Sequence, residues 1–184
     1  MCGGEGSRLE GEAEKPLFEV GGRPMLARVL DALDAATVET VYAVASPDAP
    51  ETMAYLAGRP ARLIEGSGEG YVADIGRGIE VVGPPVLTVV ADLPLLAADL
   101  IDRAVGAYDS RNVPVCVPTR LKEALDVSAD TVRDVAGRRL SPTGLNVVAA
   151  GDSPGERVER VWDARAAVNV NYASDAAVAE VLAG

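Results

Sequence analysis

Val86-Leu87-Thr88-Val89-Val90-Ala91, running straight into Asp92-Leu93-Pro94, decides the fold class. An apolar, β-branched run bounded by turn formers reads as a buried strand, and Pro94 stops it from continuing. Residues 95–108 then carry the apolar spacing of an amphipathic helix. The alternation extends in both directions. Helices are predicted over 24–36, 50–57 and 71–82, and strands over 40–45, 61–64, 113–117 and 144–149. A short strand is predicted over 168–171, with Ser174 as the cap of a last helix. Pro114 marks its strand as an edge or terminal one. The polar residues 120–143 read as an excursion from the sheet. These features give an α/β fold, a single Rossmann-like domain over 1–184, with a mostly parallel sheet and helices on both faces.

Sheets of this kind bind ligands beyond the carboxyl ends of their strands. Asp92 therefore stands on the binding rim, as a ligand for Mg²⁺ or as the N-cap of the following helix. Glu65-Gly66-Ser67-Gly68-Glu69-Gly70 also follows a strand. There the backbone around Gly68 and Gly70 can lie against a purine, with Asp74 placed to accept from guanine or merely solvated. Asn169 and Asn171 share one face at period 2; they orient a metal or phosphate, or satisfy backbone groups at a sheet edge. Asp175 reads as a first-turn helix charge.

The amino terminus adds a second anion-binding signal. Gly3-Gly4-Glu5-Gly6-Ser7-Arg8 precedes Lys15-Pro16 and a turn at Gly21-Gly22-Arg23-Pro24. Small residues let backbone N–H groups approach an anion, while Arg8 and Lys15 supply charge. The run is neither a P-loop nor a dinucleotide fingerprint, and it reads as a triphosphate loop.

Composition narrows the chemistry. The 184 residues contain no histidine, which excludes Ser-His-Asp and Cys-His catalysis and His-ligated zinc. The net charge of −11 argues against nucleic acid as a partner and suggests a halophilic source. Only Lys15 and Lys122 among the 17 basic residues are lysine, which singles out Lys15. No apolar run is long enough for a membrane span, no leader is visible, and Cys2 and Cys116 do not form a disulfide framework, so a cytoplasmic location is expected.

GGEGSRL…EKPLFEVGGRPML, VLTVVADLP and VNVNYASD together resemble the nucleotidyltransferases of the molybdenum-cofactor guanylyltransferase type. GEGYVAD (68–74) and PTGLNVV (142–148) are similar to the archaeal GTP:adenosylcobinamide-phosphate guanylyltransferases within that group. The resemblance implies GMP transfer from GTP to a corrinoid phosphate, with release of pyrophosphate. Gly3, Gly4, Gly6, Ser7 and Arg8 would hold the triphosphate. Lys15 would neutralise charge at the transferring phosphorus, and Asp92, with Asn169, would hold Mg²⁺. Gly144 and Asn146 would lie near the acceptor phosphate. A homodimer is compatible with this reading. Rival readings are guanylyl transfer to molybdopterin or another phosphorylated acceptor, sugar-phosphate nucleotidyl transfer, and a non-catalytic GTP-binding regulator. One departure stands out. The family carries a hydrophobic first strand in mid-sheet, and only Met1 and Cys2 precede Gly3; the favoured expectation is a start assigned too late, the alternative a lost strand whose neighbours are left with open edges.

Overall fold

The computed structural model describes residues 14–151 and 154–184. The loop residues Gly3, Gly4, Gly6, Ser7 and Arg8, together with Cys2, lie outside them. The described chain opens with a 3₁₀ turn, Lys15–Leu17, and a small hairpin of β1 (Glu19–Val20) and β2 (Arg23–Pro24), closed by the two-residue turn Gly21-Gly22. There follow α1 (Met25–Asp34), β3 (Tyr42–Ala45), α2 (Pro50–Ala57), β4 (Arg62–Glu65), α3 (Tyr71–Val82), β5 (Val86–Val89) and α4 (Ala98–Gly106). The second half holds β6 (Val113–Pro118), α5 (Thr119–Ala124), β7 (Arg133–Val135), β8 (Arg138–Val148), β9 (Glu159–Arg160), α6 (Ala164–Ala167) and α7 (Ala173–Ala183).

The apolar residues of α1 recur at Met25, Leu26, Val29, Ala32 and Leu33, a stripe that the core buries. Its middle part meets α4, β5, β6 and β8 in the main core, around Leu93, Ile101, Val113 and Leu145. Met25 packs with Val168, Val170 and Ala176 in a second cluster, and Leu26 with Ala43, Ala45 and Leu56 in a third. Cys116 is fully buried and free, and burial pushes its thiol up to about 11. Among the described residues no helix is long and apolar enough to cross a membrane.

The sheet is mixed rather than mostly parallel. β8 runs antiparallel to both β5 and β6, while β6 and β9, and separately β3 and β4, pair parallel. β8 also starts six residues before the predicted strand, because Arg138–Leu140 forms a hairpin with β7. The polar residues 120–143 are therefore a helix and a hairpin, whose strands alternate too weakly in hydropathy to be read as such. Pro114 is not on an edge strand: β6 lies between β8 and β9, and Pro114 is accommodated at a break in register with β8. Residues 168–171 are extended but join no ladder. Val170 N–H donates to the Asp92 carbonyl instead, at 2.9 Å. The last helix begins at Ala173, so Ser174 lies inside its first turn rather than at its cap.

Among the described residues β3 pairs with β4 and β5 with β8, in separate sheets. Both β3 and β5 line an apolar cleft of about 420 Å³, with Leu26, Val29, Ile79 and Val82 around it. Among the described residues the two sheets thus part at this cleft. Thr88 lines this cleft, and its buried hydroxyl has no hydrogen-bond partner among the described residues. Thr88→Val keeps the shape and removes the orphan group. It is expected to raise stability by about 1 kcal/mol, measured by urea unfolding.

Candidate active site

Asp92 lies just beyond the carboxyl end of β5, as the sequence predicts, and it is not the cap of α4, whose N-cap is Ala97. Its two carboxylate oxygens have different partners. Oδ2 accepts from Lys15 Nζ at 2.6 Å, and Oδ1 accepts from Asn169 Nδ2 at 3.1 Å. Lys15 also donates to Asn171 Oδ1 at 2.7 Å. The side chains of Lys15 and Asp92 are each about one-fifth exposed, so the pair is shielded from solvent much more than a surface ion pair.

Lys15 is held by its neighbour. The Glu14 carboxylate accepts from the backbone N–H groups of Glu51 and Thr52, at 2.9 and 2.8 Å. These are orphan donors of the first turn of α2, whose own N-cap is Ala49 and supplies no side-chain bond. A negative group there is also favoured by the helix dipole. One residue on, the 3₁₀ turn beginning at Lys15 directs the ammonium toward Asp92.

Asn169 turns its amide so that nitrogen, not oxygen, faces Asp92. Nδ2 also donates to the Thr143 carbonyl at 2.9 Å, and Oδ1 accepts from Lys122 Nζ at 3.2 Å. The oxygens that converge on the Lys15 ammonium are thus Asp92 Oδ2 and Asn171 Oδ1. Such a pair suits a hard cation that brings its remaining ligands as waters or phosphate oxygens. Among the described residues no group of three or more His, Cys, Asp or Glu stands ready to hold a metal. Asp175 is fully buried, with its carboxylate taken by the Asn171 and Tyr172 N–H groups and by Ser128. It fixes the loop beside the site, in keeping with a first-turn helix charge.

The glycine-rich loop after β4 folds around Asp74. That carboxylate is 3% exposed, and its Oδ1 accepts from Ser67 N–H at 2.6 Å and from the Ser67 hydroxyl at 3.0 Å. Asp74 is therefore not a solvated turn residue; through Oδ1 it gives the loop its shape. Gly68 and Gly70 have φ of +75° and +102°, in the region that favours glycine. Tyr71 follows immediately, and its phenol titrates above the usual range because of burial and the nearby Asp92 charge. That proximity brings the loop to the same rim. Gly144 lies in β8 with φ +84°, and a Cβ there would come within 2.4 Å of Val90 Cγ2. Its demonstrated role is close packing beside β5. Asn146 is half-buried in β8, opposite Thr88 on one side and Pro114 on the other.

Lys122 is the site residue that sequence reading passes over. It is 3% exposed on α5, and no local motif surrounds it. The usable signal was its rarity: both lysines of the chain meet the Asp92–Asn169 pair.

Residues 1–129 match the family described as the MobA-like NTP transferase domain. The chain is 28% identical over 193 residues to the adenosylcobinamide-phosphate guanylyltransferase of Methanocaldococcus jannaschii, covering 99% of this chain and 94% of that protein. It is 31% identical over 186 residues to the 2-C-methyl-D-erythritol 4-phosphate cytidylyltransferase of Frankia casuarinae, covering 97% of this chain and 67% of that protein. Among solved structures, a 4-diphosphocytidyl-2C-methyl-D-erythritol synthase superposes with a TM-score of 0.70, over 94% of this chain and 96% of its own. At 15% identity that likeness speaks for the fold alone.

Glu14→Ala removes the clip between the Lys15 segment and α2. The expected results are faster amide hydrogen exchange at Glu51 and Thr52 and a loss of about 1 kcal/mol of stability, the usual worth of a helix cap. Unchanged exchange at those two amides would show that the contact does not hold the segment.

Proposed function

The chain belongs to the MobA-like NTP transferase domain family and is a nucleotidyltransferase, and from that premise we propose that it moves GMP from GTP to adenosylcobinamide phosphate. The carrying observation is the meeting of Lys15, Asp92 and Asn171 at one point beyond β5. The likeness to the Methanocaldococcus guanylyltransferase, which runs almost the full length of both chains, supports guanine as the base and a corrinoid phosphate as the acceptor. The 65–74 and 142–148 segments, singled out by their resemblance, support the same choice.

In the proposed reaction an oxygen of the acceptor phosphate attacks the α-phosphorus of GTP. The bond from that phosphorus to the β-phosphate oxygen breaks, and pyrophosphate leaves with its electron pair. The acceptor phosphate is ionised near neutral pH, so the step needs no general base, which suits a chain without histidine. The residues act by positioning and by neutralising charge. Gly3, Gly4, Gly6, Ser7 and Arg8 embrace the triphosphate, and Lys15 faces its oxygens. Gly68 and Gly70 shape the loop that lies against the base, while Asp74 acts on the base through that loop. Gly144 and Asn146 stand on the acceptor side. Asp92 Oδ2 and Asn171 Oδ1 are the oxygens that would hold Mg²⁺, with Asn169 orienting Asp92. Bound there, Mg²⁺ would supply positive charge to the phosphate oxygens.

A second reading, cytidylyl transfer to a phosphorylated polyol, draws on the Frankia relative. Pyrophosphate release from GTP and from CTP, each alone, with adenosylcobinamide phosphate and with 2-C-methyl-D-erythritol 4-phosphate, separates the two. Release is expected with GTP and only when the corrinoid is present. Lys15→Ala and Asp92→Ala are each expected to lower kcat by about 10²-fold or more, the scale of removing a preorganised charge from a transferring group. Release from CTP and not from GTP, dependent on the phosphorylated polyol, would reverse the choice. Binding of GTP without release would favour the regulator.

A further inference from the structure

The transfer chemistry leaves Lys122 without a task. Its ammonium is buried on α5, and its hydrogen bonds go to two neutral oxygens, Asn169 Oδ1 and the Ser128 carbonyl, each at 3.2 Å. Burial opposes its charge, and Asp175, Asp92 and Asp130 favour it. A buried ammonium is costly, and an apolar side chain would pack in its place without that cost. The geometry around it supplies a reason for its presence.

We propose that Lys122 is a positioning residue that fixes the amide of Asn169 and, through it, the carboxylate of Asp92. This role rests on nucleotidyl transfer at Asp92. A carboxamide can turn over and exchange its oxygen and nitrogen, so its orientation has to be set by its neighbours. The Lys122 ammonium is a donor only, and it holds the oxygen. The Thr143 carbonyl is an acceptor only, and it holds the nitrogen. With both ends fixed, Nδ2 also faces Asp92 Oδ1 and leaves Oδ2 to Lys15, which donates to Asn171 Oδ1 as well. Lys122 is itself held by Ser128, whose N–H and hydroxyl donate to Asp175 at 2.7 and 2.8 Å. The row Lys15–Asp92–Asn169–Lys122 thus ends in a lysine at each side, and the far one sets the register of the near one.

Lys122→Met tests this. The variant is expected to melt at the wild-type temperature or above it, because a buried charge is gone. Its kcat for pyrophosphate release should nevertheless fall about tenfold, with the KM for GTP within about threefold, the pattern of lost transition-state positioning. Combined with Asn169→Ala, it should cost no more than Asn169→Ala alone, because the lysine acts through that amide. Lys122→Gln, which keeps an N–H donor, should retain more turnover than Lys122→Met. Wild-type kcat in Lys122→Met, equal losses in the Gln and Met variants, or multiplying losses in the double variant would each overturn the proposal. Should the wild-type protein turn over neither GTP nor CTP, the transfer reading fails. The positioning role is then decided by the ¹⁵N–¹H side-chain resonances of Asn169. A shift and faster exchange in Lys122→Met support it, and unchanged resonances overturn it.

Discussion

The organisation of the site follows from one carboxylate placed where a strand ends. Asp92 stands just past β5, and both its backbone and its side chain are spoken for by distant parts of the chain. Its carbonyl takes the Val170 N–H, which draws the last extended segment to the rim without any ladder. Its side chain takes Lys15 from the start of the chain and Asn169 from near its end. A partly buried anion must find donors, and the donors available here lie 77 residues away in either direction. Satisfying Asp92 therefore closes the fold and builds the site together.

The second layer works by the same rule applied to other groups. Glu14 satisfies the open end of α2, and Asp175 satisfies the start of α7 while gripping Ser128. Asp74 satisfies Ser67 and gives the glycine loop its curve. Three buried or half-buried acids thus each accept from backbone N–H groups, two of them across long stretches of sequence, and each sets the place of a segment that reaches the rim. In a chain with an excess of acidic residues, such acids are easily mistaken for solvated surface charge.

What the sequence displayed well was whatever rests on local pattern. The strand Val86–Val89 with Asp92 just past its end, the spacing of α1, and the helices 50–57 and 71–82 are written in neighbouring residues. Lys15 was legible because a glycine run and a proline accompany it. The rest depends on partners far apart in sequence. The start of β8 is decided by a hairpin with β7, and the central place of Pro114 by a register break with β8. The direction of the Asn169 amide is decided by Lys122 and Thr143. Asp74 was read as either a base contact or a solvated charge, and burial, which sequence alone does not display, removes the second reading and adds a role as loop anchor. Gly144 stood out by resemblance to a family motif, and the structure gives it a steric reason in Val90.

The row of Lys15, Asp92, Asn169 and Lys122 carries two ammonium groups against one carboxylate, inside a molecule whose net charge is −11. A nucleoside triphosphate approaching from afar meets a repelling body, and only near contact does it meet the Lys15 ammonium. Added salt screens the first effect over a Debye length of roughly 8 Å at physiological strength and reaches the shielded row much less. Encounter with the nucleotide is consequently slowest in dilute buffer and quickens as ions are added, the reverse of the behaviour of a basic-grooved enzyme steering an anionic substrate.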